Sequence, residues 1–445
     1  MKYFSMPIFT FVKRGLSAVY NYLIIRILSI SEYGTFSNFI SVVNNFFQIG
    51  KLSYEYEFQK LLHDIKNEEE SAHLNTIFLI IGVFLSIPCS LVAFITFKYF
   101  YQETTFFESS YLTFFIFSNY LFMTGIFITK MYARLNIKAM IFFILISLFA
   151  YLSIFYLYFI YGYTRQLLNI HSLILYLSVL ITFIVFFRFK KISISLKEIR
   201  IFFGSAIKKS LPIYLNNSSI AIIQLLIIGL VSYQSIELIA GYRVVQSIQA
   251  IIAMVPISLS IFWINKSFRN SAKDEFILMH IYIIIAFSIL HLDEYIINFY
   301  PKYNLVISDF LALFFLLNSL TVLSNSIIFS NYENLKLSRY IKLLPIMLII
   351  NSLICFSYEI KDLKDMIVLD WLIQINFFIC IMFCVYKNFI NIKFKHLANY
   401  IFAIFIFLIG IFTDSTIQEF IIKIIILISI IYVFFSFTMT KYNAS

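Results

Sequence analysis

Long apolar runs with few charges recur along the whole chain, each about as long as a helix that crosses a membrane. A transmembrane helix needs roughly 20 mainly apolar residues to cross the hydrocarbon core, and about fourteen runs fit this length. They cover residues 9–28, 34–52, 74–97, 111–131, 139–160, 172–188, 211–231, 240–263, 276–292, 306–330, 341–357, 369–386, 397–413 and 420–438. The runs are continuous, whereas barrel strands alternate over about ten residues. We therefore predict an all-α polytopic membrane protein with 12 to 14 spans, about fourteen by this count.

The composition leaves a lipid bilayer as the only plausible solvent for this chain. Of its 445 residues, 61% are hydrophobic and 13% are charged, and the mean hydropathy is +0.89. A soluble domain cannot bury such a share of apolar residues in one core. No external connection exceeds about 20 residues, so none can form a folded catalytic domain and the function must lie inside the helix bundle. The first run contains Lys13 and Arg14 with no cleavage site after it, so we expect it to remain as the first span.

The distribution of positive charge predicts the orientation. With the N-terminus inside, about 24 of the 34 Lys and Arg residues fall in or beside cytoplasmic segments and about 8 in or beside external ones, as the positive-inside rule requires. Both termini are therefore predicted to be cytoplasmic. The net charge of +11 reflects this bias and attraction to anionic membrane lipids, so no nucleic-acid partner is implied.

Two long cytoplasmic segments, 53–73 and 189–210, interrupt the pattern of spans. The second has apolar and basic residues on opposite helical faces, which predicts an amphipathic helix in the membrane interface. It separates two blocks of six spans and suggests an internal repeat, with glycine-containing turns at 32–34 and 240–242. The predicted organisation is an N-terminal lobe (1–190), a linker (191–210), a C-terminal lobe (211–386) and two appended spans with a cytoplasmic tail (387–445).

Polar side chains form stripes on the first two spans of each block. Buried polar groups in a membrane cost free energy unless they face a partner or a watery cavity, so these stripes are the main functional signal. They consist of Arg14, Ser17 and Asn21 with Lys13 beside them; Ser37, Ser41, Asn44 and Gln48 with Asn45; Asn217 and Gln224 with Asn216; and Arg243, Gln246 and Gln249. Single polar residues also serve as contacts between helices, and basic residues near span ends can snorkel to headgroups. A polar cavity between the two blocks accounts for the whole set better.

The cavity that these stripes predict would be positively charged. Lys13, Arg14 and Arg243 face no obvious carboxylate within the spans, which implies an anionic ligand. Arginine binds phosphate through its bidentate fork and lysine as a point charge. No set of His, Cys and carboxylate residues has metal-ligand spacing, and no cofactor is predicted.

Two stretches resemble a known family. KRGLSAVYNYLIIRILSISEYGTFSNFISVVNNFFQIG, from Lys13 to Gly50, resembles the opening of polysaccharide flippases, with an E-x-G turn before a polar second helix. KKSLPIYLNNSSIAIIQLLIIGLVSYQSIELIAGYRVVQSIQAIIAMVPISLSIFW, from Lys208 to Trp263, resembles the start of their second lobe. The family is the O-antigen and polysaccharide flippases of the Wzx type, within the multidrug/oligosaccharidyl-lipid/polysaccharide (MOP) exporter superfamily.

The resemblance implies two six-helix lobes that open alternately to either face of the bacterial inner membrane. The implied substrate is undecaprenyl-diphosphate-linked oligosaccharide, with a polysaccharide polymerase and a chain-length regulator as further partners. By this resemblance, cationic residues meet the diphosphate: Lys13, Arg14 and Arg243. Polar residues meet the sugars: Asn21, Asn44, Asn45, Gln48, Asn217, Gln224, Gln246 and Gln249. The coupling ion stays open, because no clear acidic residue lies in mid-membrane.

Four other kinds of membrane protein fit the sequence less well. A membrane glycosyltransferase would be expected to carry paired acidic residues in its first external loop, which holds only Glu32, and a polymerase would carry a large external loop. No nucleophile, base or metal cluster suggests an enzyme. A multidrug exporter of the same superfamily is disfavoured by Lys13 and Arg14, and an ion or amino-acid transporter by the absence of a Gly or Pro break in span one.

Overall fold

A computed structural model describes residues 5–252 and 338–376, apart from gaps at residue 66, 101–109, 135, 163–164, 188–195, 233–234, 364, 371 and 374–375. These residues form α-helices joined by short connections, and no strand occurs among them. The helices are α1 (Ser5–Ile27), α2 (Ile30–Gly50), α3 (Glu55–Asp64), α4 (Glu68–Phe100), α5 (Tyr111–Arg134), α6 (Ile137–Tyr161), α7 (Arg165–Phe186), α8 (Leu196–Ser232), α9 (Ile236–Ile252) and α10 (Ser338–Ser357). The predicted all-α polytopic class is confirmed.

Each predicted span within the described ranges coincides with a helix. In the part of the chain that the structure describes, four helical segments are long and apolar enough to cross a membrane: Glu68–Tyr99, Tyr111–Arg134, Ile137–Tyr161 and Leu167–Phe186. Two shorter apolar segments, Asn217–Ser232 and Leu343–Ser357, lie at predicted spans seven and eleven. The spans predicted at 276–292, 306–330, 397–413 and 420–438 lie outside the described residues, as does most of 369–386. The total number of spans therefore stays a prediction.

The glycines expected in external turns lie inside helices instead. The reversal between α1 and α2 falls at Leu28 and Ser29, and α2 has already begun when the chain reaches Gly34. Ser29 caps α2: its side-chain oxygen accepts from the backbone of Glu32, whose carboxylate in turn accepts from the backbone of Ser29. This reciprocal capping box fixes the helix start ahead of the glycine. Gly241 likewise lies within α9.

Two cytoplasmic segments of the prediction contain structure that hydropathy alone did not reveal. Residues 55–64 form the short helix α3, which packs on α5. Residues 196–210 are helical, as their periodicity predicts, and continue without a break into the next span as α8. The rings of Phe202 and Phe203 contact those of Phe78 and Tyr54, so this apolar face packs on protein. Its position in the membrane interface stays a prediction.

The chain separates into two compact units. The first comprises Met1–Ser247 with Leu344–Met366, and the second comprises Ile248–Leu343 with Ile367–Ser445. All packing described below lies in the first unit, where α5 packs on α4 and α7, α6 on α7 and α1, and α2 on α4 and α8. The predicted lobe boundaries at 190, 210 and 386 stay a prediction.

Candidate functional site

Contacts at two places join α1, α2 and the connection after α2 to α8 and α9, along a line that we call the seam. It runs from the α1–α2 reversal at residues 28–29, called the turn end, to the connection between α2 and α3 at residues 51–54, called the opposite end. The seam is held by named contacts at both ends.

At the turn end, Asn21 of α1 connects the two helix pairs. Its side-chain amide donates to the hydroxyl of Ser247, and its carbonyl accepts from the hydroxyl of Tyr33 at 3.4 Å. Ser247 donates to the backbone carbonyl of Arg243 one turn earlier, at 2.8 Å. Every polar group in this chain of hydrogen bonds has a partner, so Asn21 is held in one orientation between three helices.

Close backbone packing accompanies the Asn21 contacts. A β-carbon placed on Gly34 would collide with the backbone carbonyl oxygen of Ile236. Only a glycine at this position lets the first turns of α2 and α9 approach so closely. The glycine that sequence analysis placed in a turn thus serves helix contact.

Arg243 lies beside this cluster on α9. Its guanidinium donates to the side-chain carbonyl of Gln246 and lies 5.9 Å from the ring centroid of Tyr242. Both predicted site residues are half-buried. The side chain of Gln249, predicted to line the same stripe, lies outside the described part of the structure.

At the opposite end, the connection after α2 docks on α8. The side-chain amide of Asn217 donates to the hydroxyl of Ser53 at 3.5 Å, and the hydroxyl of Ser210 donates to the backbone carbonyl of Leu52 at 3.2 Å. Leu52 and Ser53 both have a φ of 51°, in the left-handed region that non-glycine residues seldom adopt. Such a conformation costs free energy and is kept only where surrounding contacts hold it. Ser53 is fully buried.

Charged groups flank this connection. The ammonium group of Lys51 lies 2.8 Å from a carboxylate oxygen of Glu55. Burial of Tyr54, and then the neighbouring Glu55 carboxylate, raise the pKa of the Tyr54 phenol well above its usual value. The phenol therefore stays neutral over the physiological range, and its ring packs against those of Phe78 and Phe203.

Along α2, the polar residues divide into two kinds. The hydroxyls of Ser37 and Ser41 donate to backbone carbonyls of their own helix, which leaves them little capacity for a ligand. Asn45 is buried, whereas Asn44 and Gln48 are half-buried, as is Gln224 on α8. Of the predicted sugar-binding amides on α2, Asn44 and Gln48 are therefore partly accessible and Asn45 is not.

Lys13 and Arg14 lie in another part of the first unit. The Lys13 ammonium lies 6.0 Å from the ring centroid of Phe143 on α6, and Arg14 interacts electrostatically with the hydroxyl of Tyr132 on α5. Arg14 is seven residues before Asn21, or about 10 Å along the helix axis. The structure thus places Arg243 in the cluster at the turn end, and Lys13 and Arg14 two turns away on the side of α1 that faces α5 and α6.

A buried histidine that sequence analysis did not single out lies next to the seam. The ring of His171 on α7 lies between the hydroxyls of Tyr20 and Tyr158, at 3.4 Å from each. The ring of Phe36 packs against it with centroids 5.3 Å apart. His171 is one residue outside the predicted span 172–188 and belongs to none of the predicted polar stripes. Among the described residues, no group of three His, Cys, Asp or Glu side chains could hold a metal ion.

The fold matches solved transporters of the MOP superfamily. A structure described as the lipid II flippase MurJ in an inward closed conformation matches with a TM-score of 0.59 at 17% identity, over 98% of each chain. A MATE multidrug transporter, DinF-BH, matches with a TM-score of 0.57 at 15% identity, over 87% of this chain and 95% of the other. A MOP superfamily transporter from Pyrococcus furiosus matches with a TM-score of 0.52 at 14% identity, over 89% and 96%.

No protein-family model and no curated protein matches the chain by sequence. At identities below one fifth, the structural matches show a shared fold over nearly the whole chain. The chain therefore has the fold of the MOP superfamily.

Proposed function

We propose that this protein is a flippase for undecaprenyl-diphosphate-linked oligosaccharide, such as an O-antigen or capsule repeat unit. It would move the substrate from the inner to the outer leaflet of the bacterial cytoplasmic membrane by alternating access, with both termini in the cytoplasm. The observation that carries the proposal is the seam, where Asn21 of α1 contacts α9 and Ser53 after α2 contacts α8, in a fold shared with a lipid II flippase along 98% of both chains.

The physical problem of flipping explains why such a seam is needed. A sugar headgroup loses its hydrogen bonds to water when it enters hydrocarbon, which costs several kcal/mol for each unpaired polar group. Side-chain amides on facing helices replace that water with donors and acceptors. We propose that Asn44 and Gln48 on α2 and Gln224 on α8, which are half-buried, are amides of this kind.

The cations of α1 and α9 favour an anionic headgroup. Lys13 and Arg14 are half-buried in the helix bundle and Arg243 is half-buried near the turn end. Lys13 and Arg14 lie about 10 Å along the axis of α1 from the turn end, where Arg243 lies. We therefore propose that this pair and Arg243 contact the diphosphate at different stages of the reaction. Outward movement of an anion is also favoured by about 2.3 kcal/mol per charge for each 100 mV of interior-negative potential.

A multidrug exporter is the second candidate, and it is favoured by the structural match to the MATE multidrug transporter DinF-BH. The same three cations argue against it if its substrates are cationic, because like charges in a cavity of low dielectric repel. We propose no catalytic activity for the chain.

Reconstitution tests the proposal directly. Purified protein is placed in liposomes with an NBD-labelled undecaprenyl-diphosphate oligosaccharide, and dithionite added outside bleaches only the label in the outer leaflet. We expect the protein to bring the labelled oligosaccharide lipid of the inner leaflet to the outer leaflet, where dithionite bleaches it. We expect it to leave an NBD-labelled phosphatidylcholine unflipped. Equal flipping of both lipids would contradict substrate recognition through the diphosphate and sugar.

The Lys13→Ala and Arg14→Ala double variant tests the anion site. We expect at least tenfold slower flipping, since loss of one charge-assisted hydrogen bond of roughly 1.5–3 kcal/mol already corresponds to about that factor. Arg26→Ala is the matched control, because Arg26 lies on the same helix, is exposed and donates to the hydroxyl of Tyr22 one turn earlier. A double variant that flips the substrate as fast as the wild type would remove Lys13 and Arg14 from the site.

A further inference from the structure

His171 lies at a meeting point of four helices inside the first unit. Tyr20 of α1 reaches its Nε2 atom and Tyr158 of α6 reaches its Nδ1 atom, each at 3.4 Å, and Phe36 of α2 covers the ring. The side chain is 3% exposed, so water does not reach it in this arrangement. Both ring nitrogens therefore have hydroxyl groups as their neighbours.

Hydroxyl partners suit a group that gains and loses a proton. A neutral imidazole has one donor and one acceptor nitrogen, whereas an imidazolium has two donors. A tyrosine hydroxyl can act as donor or acceptor by rotating its hydrogen, so Tyr20 and Tyr158 can satisfy both forms. A backbone N–H group in either place would require an unprotonated nitrogen and would favour the neutral form.

The wider surroundings of His171 are aromatic and hydroxyl-bearing. Tyr151 of α6 stacks on Tyr20 with centroids 4.4 Å apart, and its hydroxyl lies 3.5 Å from that of the exposed Ser17. The hydroxyl of Tyr120 on α5 interacts with that of Tyr151. The titratable groups that face this site are thus tyrosines from α1, α5 and α6.

None of the Asp, Glu, Lys or Arg side chains in the described part of the chain interacts with the His171 ring. An imidazolium buried without a counter-ion costs free energy, so the neutral form fits this packed arrangement. Proton uptake then requires a rearrangement that admits water. Protonation and helix movement are therefore linked at this residue.

The partners of His171 also belong to the seam. Tyr20 precedes Asn21 on α1, and the side chain of Asn21 contacts Ser247 of α9. On α2, the ring of Phe36 contacts the ring of Tyr33. The hydroxyl of Tyr33 in turn donates to Asn21. A movement of α1 or α2 that opens the His171 pocket must shift the contacts at the turn end. The geometry couples the histidine to the place where α1 and α2 meet α9.

We propose that His171, held between Tyr20 and Tyr158, binds the proton that couples a pH gradient to flipping. A proton enters from one aqueous side, is held on an imidazole nitrogen while the helices rearrange, and leaves to the other side. This inference rests on the proposed flippase function. It assigns the coupling ion that the sequence left open.

The first test measures flipping of the NBD-labelled undecaprenyl-diphosphate oligosaccharide with and without a pH gradient across the liposome membrane. We expect the gradient to accelerate the wild type in one orientation only, and His171→Gln to flip at the same rate with and without it. His73→Gln is the control, since His73 is half-buried at the start of α4 and should keep the gradient response. A wild type that flips equally fast under both conditions would overturn the proton site and leave the flippase function standing.

The second test does not depend on any substrate. A variant with Gln at His63, His73, His280, His291 and His396 leaves His171 as the one histidine, and its 13C-labelled imidazole gives a single NMR signal in nanodiscs. We expect this signal to shift as the pH is lowered from about 8 to about 4, a range that extends below the usual histidine range because the packed arrangement favours the neutral imidazole. We expect Tyr20→Phe to displace the midpoint. A signal that does not move over this range overturns the proton site, whether or not flipping is observed.

Discussion

Two glycines show how the absence of one side chain sets the distance between helices. A β-carbon on Gly34 would meet the backbone carbonyl of Ile236, whereas one on Gly241 would meet the flexible side chain of Leu363 at 3.1 Å. A side chain can rotate away from an added methyl group, but a backbone carbonyl can move only with its helix. Gly34 is therefore the stricter of the two positions.

Gly34→Ala should lower the stability of the protein. We expect a loss of about 1–3 kcal/mol, the usual result of overpacking, seen as a lower midpoint of thermal unfolding in detergent. Gly204→Ala on α8 is the control: nothing lies within 4 Å of the added carbon, and alanine in a helix should gain roughly 0.5–1 kcal/mol over glycine. A Gly34→Ala protein at least as stable as the wild type would show that α2 and α9 are not in this contact in detergent.

The sequence predicted the faces of individual helices better than the partners of those faces. The spacing of Ser17 and Asn21 puts them one turn apart on α1, but Asn21 contacts Ser247 while Ser17 contacts Tyr151. Helical periodicity determines which residues share a face, and neighbouring helices determine what each residue on that face meets. For the same reason, the contact of Lys13 with Phe143 could not be deduced from its spacing.

At the scale of elements, the start of α2 is set by a few local hydrogen bonds. The backbone of Ser29 donates to the Glu32 carboxylate at 2.8 Å, and the backbone of Glu32 donates to the Ser29 hydroxyl at 3.3 Å. These bonds satisfy two amide groups that the helix leaves open at its first turn. Glu32, the only acidic residue of the first predicted external loop, therefore has a structural role as part of this cap.

Ser29→Ala should destabilise the protein by about 1 kcal/mol, because the capping hydroxyl is lost. Glu32→Gln should change stability little, since glutamine serves equally in a capping box. Thermal unfolding of the two variants in the same detergent gives the comparison. If Glu32→Gln stopped flipping while keeping the unfolding midpoint of the wild type, the carboxylate would have a function beyond the cap.

Hydropathy found the long helices and missed the features that are polar or short. The helix α4 runs from Glu68 to Phe100 and is therefore longer than the predicted span 74–97. Its first turn holds three glutamates, Glu68, Glu69 and Glu70, at the end of the helix where the dipole favours negative charge. The ten residues of α3 carry too many charges to register as a span, and their helix is supported by packing on α5. Charge and tertiary contacts, which a hydropathy count omits, account for these differences.

At the scale of the molecule, α2 is in contact with the α8–α9 pair near both of its ends. One contact joins Gly34 to Ile236, and the other joins the connection at Ser53 to Asn217. Alternating access requires each end of such a seam to separate at some stage while the other stays closed. If the proposed flippase works in this way, the contacts seen here must break in turn during its cycle, which no pattern in the sequence indicates.

Cross-linking either end of the seam should stop flipping. With the four native cysteines replaced by Ala, the Asn21→Cys and Ser247→Cys pair would lock the turn end, and the Ser53→Cys and Asn217→Cys pair the opposite end. We expect oxidation to abolish dithionite-detected flipping for each pair and reductant to restore it. The single cysteine variants should respond to neither treatment. If an oxidised pair continued to flip the substrate at the rate of its reduced form, the cross-linked end would not open during the cycle, and the substrate route would have to lie elsewhere in the bundle.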